Sequence, residues 1–221
     1  DPQRQRYYLM YHGLNYEKSK IKLGLLESED GISWDNSPHS PLLDLGNAVQ
    51  NTSYCWPLTL GINNSKFQGF LAGFDISSGD MRCEIYGFHT TNFSELTLDD
   101  KPLLAAGPKR YDKAGFTSAA VVDFEGVQYL FYTGFRRWSE EDDYGFVYAK
   151  DISLGLATST DGVNWTKDAQ NPIPAHHEYE GYLSNVNAQR VGSRIHLWIS
   201  DYYPETESHA VGYFIYEPGI E

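Results

Sequence analysis

Apolar and polar positions along this chain alternate with period two over short stretches, and Gly, Pro, Asn and Asp interrupt them at close intervals. That pattern predicts β-strands joined by tight turns. No long segment carries the helical period, and no apolar run approaches the roughly 18 residues a membrane span needs. The most informative stretch is Leu23-Gly24-Leu25-Leu26-Glu27-Ser28-Glu29-Asp30-Gly31-Ile32-Ser33-Trp34. Its pattern returns 131 positions later as Leu154-Gly155-Leu156-Ala157-Thr158-Ser159-Thr160-Asp161-Gly162-Val163-Asn164-Trp165. Both copies run on to a proline and an apolar residue, Pro41-Leu42 and Pro172-Ile173. Each reads as a strand, an Asp-Gly hairpin turn and a second strand opened by tryptophan.

A second motif is an aromatic strand ending in a small residue: Tyr7 to Gly13, Phe70 to Gly73, Gln128 to Gly134 and, more weakly, Ile195 to Ser200. Aromatics on both of its faces suit a strand packed between two sheets. A shorter apolar strand precedes three of these: Trp56 to Leu60, Ala119 to Val122 (then Glu125-Gly126) and Val186 to Val191 (then Gly192-Ser193). Each unit therefore reads as four antiparallel strands, with the short apolar strand innermost. Four-stranded units in series predict an all-β fold, a β-propeller. The expected blades are 1–46, 54–106, 116–174 and 183–221, within one domain, 1–221. The first lacks its inner strand, with Asp1-Pro2 read as the turn leaving it. The last stops at Glu217-Pro218-Gly219, before a fourth strand. Such an arc exposes edges and apolar faces, so a longer parent chain or a homodimer completing the terminal blades is expected.

Composition agrees, with 17 tyrosines and 5 tryptophans among frequent Gly and Pro. A formal charge of −13 repels phosphate backbones, so nucleic acid is not an expected partner, nor is a membrane. No signal peptide is visible, and an opening on Asp1 rather than Met reads as processing or trimming. Sequons at Asn51, Asn63, Asn92 and Asn164 lean weakly toward a secreted or periplasmic location. Cys55 and Cys83 are placed on the first and third strands of one sheet. Next-but-one strands lie roughly 9–10 Å apart, beyond the reach of about 7 Å that a disulfide allows, so both are expected to be free thiols.

At these motifs the chain resembles the five-bladed propellers of glycoside hydrolase families 43 and 32. The matching elements are Tyr7-Tyr8-Leu9-Met10-Tyr11-His12-Gly13, Tyr129-Leu130-Phe131-Tyr132-Thr133-Gly134, and Ala157 to Trp165 with Asn171-Pro172. They are turn and packing elements, specific for fold rather than activity. Asp30 and Asp161 are read as turn residues; the pattern is also similar to the Asp-box of sialidases, shortened by one residue.

In such a propeller the strand-one starts and the loops after strand two share the ligand face. The strand-one starts offer Trp56, Phe116-Thr117-Ser118, and His176-His177-Glu178-Tyr179-Glu180-Gly181 with Tyr182. The loops after strand two offer His12, Asp75, Arg136-Arg137-Trp138 and Asp201. The segment between Phe135 and Asp151 is longer than its first-blade counterpart and holds Glu140, Glu141, Asp142 and Asp143. Glycoside hydrolysis needs two carboxyl groups across the scissile bond. The resemblance implies a general acid Glu at a strand-one start, best matched by Glu180, then Glu178. The expected Asp positions read Phe116-Thr117-Ser118 and Tyr54-Cys55-Trp56, which departs from the family. That leaves Asp75 or Asp112 as substitutes for the base. Trp56, Trp138 and Tyr182 suit stacking on sugar rings. Arg136 and Arg137 suit an acidic sugar or a phosphate. His12 and Asp201 complete the candidate substrate-binding set. His176-His177 lacks partners at metal-ligand spacing, so neither metal nor cofactor is expected. The reading is a glycoside hydrolase-like protein acting on an oligosaccharide or polysaccharide. The alternatives are a non-catalytic carbohydrate-binding propeller and an assembly module.

Overall fold

A computed structural model of the chain describes residues 1, 4–15, 20–44, 54–63, 66–74, 82–141, 147–173, 182–203 and 208–219, with backbone only at 14–15, 20, 54–57, 63, 74, 182–184 and 201–203. It forms two compact units, Asp1–Met81 with Ile85–Leu103, and Arg82–Glu84 with Leu104–Glu221. The first unit holds β1 (Tyr7–Asn15), β2 (Lys20–Ser28), β3 (Asp35–Asn36) and β4 (Leu43–Asp44) in one sheet, with β3 and β4 both on the outer edge of β2. It also holds β5 (Tyr54–Asn63), β6 (Lys66–Phe74), β7 (Cys83–Thr90) and β8 (Thr97–Leu98), ordered as they follow in the chain. The first residues of β7 group with the second unit, where Cys83 makes a single parallel bridge to Gly115. The second unit repeats the meander as β9 (Gly115–Phe124), β10 (Val127–Trp138), β11 (Ala149–Ser159) and β12 (Thr166–Lys167). A three-stranded sheet follows, β13 (Tyr182–Val191), β14 (Arg194–Tyr203) and β15 (Ser208–Tyr216). Cys55 and Cys83 fall on the first and third strands of one sheet, as expected, and Cys83 is a buried free thiol; the Cys55 side chain lies outside the described residues.

Period two explains which faces are buried. In the second unit Ala120, Val122 and Phe124 of β9, Phe131 of β10, and Leu154 and Leu156 of β11 pack on Val186, Ile195, Leu197 and Ile199. The opposite face of β10 is closed too: Leu130, Phe131 and Tyr132 are all fully buried. In the first unit Ile21 and Leu23 of β2 meet Leu71, Tyr86 and Phe88, while Leu25 meets Phe67 and Phe93. Each such side chain contributes roughly 1.5–3 kcal/mol by leaving water.

The glycine of Leu-Gly-Leu is a close-approach residue. Tyr132 lies directly opposite Gly155 in the β10–β11 ladder, and a Cβ there would stand 2.4 Å from its ring. Tyr11 and Gly24 repeat the pair at 2.2 Å. The β5–β8 sheet inverts it, with Gly69 on β6 beneath the ring of Phe88 on β7.

The Asp-Gly turns are closed by a side-chain network. Ser159 Oγ accepts the Gly162 N–H at 2.9 Å, and Asp161 Oδ1 accepts those of Val163 and Asn164 at 2.8 and 2.7 Å. Ser28 and Asp30 do the same for Gly31, Ile32 and Ser33. A third copy lies between them in sequence, unmarked by the Gly and Trp that flag the other two. Thr90 Oγ1 accepts the Phe93 N–H at 2.9 Å, and Asn92 Oδ1 accepts that of Ser94 at 3.1 Å. All three hydroxyl residues are buried. Gly31, Gly162 and Phe93 take φ of +74°, +78° and +64°, so Phe93 occupies a backbone state normally left to glycine. It is held there by burial against Phe67 and Tyr8. Beyond each Asp-Gly turn the outer strand regains the ladder where the proline motif predicts: Leu42 N–H donates to Leu23 O and Ile173 N–H to Leu154 O.

These contacts set two expectations. Gly155→Ala should destabilise by about 1–3 kcal/mol in urea titrations, because Tyr132 is buried and cannot yield; Gly24→Ala should cost less, since Tyr11 is half-exposed and can swing outward. The turn amides hold the Asp30 carboxyl down to about 2 and that of Asp161 lower still. Both folded values are depressed, so their stabilisation is present above the ordinary carboxylate range and is lost as pH falls through the folded values. Asp161→Ala should therefore lower Tm by a few degrees at pH 5, with the difference from the parent closing toward about pH 2.

Candidate functional site

In the second unit the starts of β9 and β13 and the ends of β10 and β14 come to one end of their sheets. Phe116 pairs with Gly134 and Leu183 with Asp201, and Val186 N–H donates to Ser118 Oγ at 3.1 Å, aligning the two inner strands. Each inner strand carries a bulge near this end. The extra residue is Thr117 between the Phe116–Gly134 and Ser118–Thr133 pairs, and Ser184 between Leu183–Asp201 and Asn185–Ser200. In the first unit Leu58 is the extra residue of β5, between Pro57–Leu71 and Thr59–Phe70. A bulge bends its strand and re-aims a side chain, and such bulges gather beside active sites. Here Thr117 Oγ1 lies 2.8 Å from Thr133 Oγ1, across the β9–β10 ladder.

Several residues expected on loops after strand two stand on strands instead. His12 is in β1 opposite Leu23, Arg136, Arg137 and Trp138 finish β10, and Asp201 is in β14 opposite Leu183. The ladders simply run further than their apolar stretches, because backbone pairing continues where side chains turn polar. Arg137 and Trp138 pair with Lys150 and Ala149. Ser139 and Tyr148 then close the base of the long connection by N–H to O, 2.7 Å, and N–H to Oγ, 2.9 Å.

Arg136 and Arg137 converge on one carboxylate. Asp151 Oδ2 lies 3.0 Å from Arg137 Nε and 3.7 Å from Arg136. Asp151 adopts φ +57° within β11. A left-handed non-glycine residue costs of order 1 kcal/mol, and an exposed ion pair returns about 0–1 kcal/mol. The pair therefore does not offset the strain through stability alone. Trp138 packs edge-on against Phe135, with ring centroids 4.6 Å apart.

Glu178, Glu180 and Asp75 lie outside the described residues, as do His176 and His177. Trp56 and Tyr182 are described by backbone alone, within β5 and at the start of β13. In the first unit His12 lines an open groove of about 550 Å3 with Leu58, Thr59 and Leu60.

Asp112 is a correction. Its carboxylate is fully buried, and Lys167 Nζ donates to it at 2.6 Å while also donating to the Ala105 and Gly107 carbonyls, both at 2.7 Å. Burial pushes its pKa up, with Lys167 pulling the other way. A carboxylate so enclosed and engaged is not available as a base. Beside it Tyr132 Oη meets Tyr111 Oη at 3.0 Å and Asn171 Nδ2 at 3.1 Å, and burial raises the pKa of both phenols. The cluster lies against the candidate end: Lys167 Nζ stands 5.1 Å from the Phe116 ring centre, and Ala114 N–H donates to Phe135 O.

The chain superposes on a thermostable family-43 glycoside hydrolase with a TM-score of 0.71 and 18% identity, over 98% of this chain and 70% of that one. The fold is that of the glycoside hydrolase β-propellers. Bombyx mori GH32 β-fructofuranosidase BmSUC1 matches with a TM-score of 0.65 at 14% identity, over 97% of this chain and 44% of that one. BT0996, solved as an RGII complex, matches with a TM-score of 0.67 at 13% identity, over 96% of this chain and 66% of that one. The sequence thus spans two thirds or less of the length of several of these propellers. No protein-family model matches it, and no curated protein sequence does.

As propeller blades, β9–β12 is a complete four-stranded blade and β13–β15 presents an inner strand and the two that follow. The Asp112–Lys167 pair ties the segment leading into an inner strand to the outer strand of the same blade. Sequence reasoning missed it because the partners stand 55 positions apart and Lys167 reads as an ordinary solvated lysine. Lys167→Met should destabilise by about 3–5 kcal/mol at pH 7, the cost of orphaning a buried charge. Because the Asp112 pKa is already raised in the fold by burial, stability of the variant relative to the parent should recover as pH falls and the orphaned carboxyl protonates. Urea titrations across a descending pH series measure both effects.

Proposed function

We propose that this chain is a glycoside hydrolase-like protein that acts on an oligosaccharide or polysaccharide. The observation that carries the reading is the propeller fold shared, over nearly the whole chain, with glycoside hydrolases of families 43 and 32. One propeller of similar fold was solved as an RGII complex, and a variant of the Bombyx mori enzyme in complex with sucrose, which supports a carbohydrate ligand. The bulged inner strands and the Arg136-Arg137 end of β10 supply the kind of surface on which such a ligand is gripped.

In this reading Glu180, just ahead of β13, is the general acid that protonates the leaving oxygen. Glu178 is the second choice. With Asp112 committed to Lys167, Asp75 remains the candidate for the second carboxylate that the chemistry requires. Trp56, Trp138 and Tyr182 supply stacking surfaces, His12 and Asp201 polar contacts.

The test is turnover of a panel of aryl and natural glycosides by the full-length polypeptide. Glu180→Gln should lower kcat roughly 10²–10⁴-fold with KM changed only a few-fold, as loss of a general acid does, while Glu178→Gln stays close to the parent. Undiminished kcat in Glu180→Gln would remove it as the acid. Absence of turnover across the panel, with sugars still bound, would remove the enzyme reading.

A further inference from the structure

We infer that the paired ends of β10 and β11 form an anionic-sugar subsite, in which Arg136 and Arg137 grip the carboxylate of a uronic acid residue and Asp151 holds their place until it arrives. The inference rests on the carbohydrate reading above and adds the substrate class. Two observations carry it. First, the site already holds a carboxylate. Asp151 Oδ2 accepts a hydrogen bond from Arg137 Nε at 3.0 Å and lies 3.7 Å from Arg136 Nη1, so two cations share one anion, and each guanidinium has five N–H donors with which to meet a ligand carboxylate. Second, Asp151 sits in the left-handed region at φ +57°, a strained placement of the sort that gathers at binding sites. Glu140 and Glu141 follow at exposed positions, but Asp151 is the carboxylate seen to reach both arginines.

Trp138, the next residue, is half-buried with its ring braced by Phe135. An indole there provides a stacking face for the sugar ring while the arginines take its acid group. In binding, the incoming carboxylate exchanges with that of Asp151. No bond is made or broken, and Asp151 moves to solvent.

Calorimetry on the full chain with trigalacturonate, galactotriose and galactose 6-phosphate tests this. Trigalacturonate should bind best. Arg137→Gln should weaken it roughly tenfold, the loss of a charge-assisted hydrogen bond, and leave galactotriose unchanged. Asp151→Asn should tighten trigalacturonate several-fold by removing the competing anion, and asparagine tolerates the left-handed backbone; unchanged circular dichroism would show that both variants fold. Galactotriose binding as tightly as trigalacturonate, with both variants silent, would overturn the acid-specific subsite while leaving the carbohydrate reading in place. Preference for galactose 6-phosphate would overturn the carboxylate class. Binding of none of the three would overturn the inference, and failure of a wider neutral-sugar panel as well would take the carbohydrate reading with it.

Discussion

Each meander sheet depends on reversing its third strand without stranding the amides of the turn. The N–H groups of the turn have no ladder partner: that of the left-handed residue lies against a buried hydroxyl, and those beyond it face solvent. One buried hydroxyl and one Asx oxygen answer for them in each of the three turns described. An unsatisfied buried amide costs about 1–3 kcal/mol, so loss of the buried hydroxyl threatens the start of the outer strand, whereas loss of the Asx oxygen frees amides that water reaches. The outer strand in turn covers the Leu-Gly-Leu strand, whose glycine lets an aromatic ring lie flat across the ladder. Turn chemistry and ring packing are thus two parts of one constraint: the sheet is thin at its outer edge and must be sealed there.

That constraint also explains which features could be read from residue order. Ser-x-Asp-Gly with a following tryptophan is a local device, so residues 28–34 and 159–165 announced the turn and the register on either side. The middle copy uses Thr90, Asn92 and Phe93. It keeps the hydrogen-bonding chemistry but replaces the glycine by a phenylalanine whose backbone strain is offset by tertiary packing on Phe67 and Tyr8. Local propensity argues against such a turn, and only the packed unit reveals it. Strand ends were legible to within the apolar stretch; the polar continuations through Arg137-Trp138 and through Asp201 were not, because backbone ladders carry no composition of their own.

The candidate site divides along the same line. Arg136, Arg137 and Trp138 were recognisable as a polar-aromatic group at the end of a core strand. Their common partner Asp151 was visible only as a residue in a long connection, since the pairing of Arg137 with Lys150 is set by the ladder rather than by spacing. Bulges at Leu58, Thr117 and Ser184 leave no sequence mark at all, yet they recur near the same end of three inner strands. A single bulge is a local accommodation. Three at matching places indicate that this end of the inner strands is shaped to present side chains rather than to maximise pairing.

The buried Asp112–Lys167 pair gains its meaning from that comparison. Burying Asp112, with Lys167 half-buried beside it, carries a desolvation penalty that their attraction repays only with good geometry and further hydrogen bonds. Lys167 has those bonds in the Ala105 and Gly107 carbonyls, whereas Asp112 Oδ1 has no partner among the described residues. An apolar pair of similar volume would hold the segment at least as stably. What it would not do is fix direction. Three donors on one ammonium triangulate residues 105–112 against β12, and so set the path by which the chain reaches Phe116 and the bulge at Thr117. The arrangement spends stability on position at the candidate end of the blade, as the left-handed Asp151 does on β11.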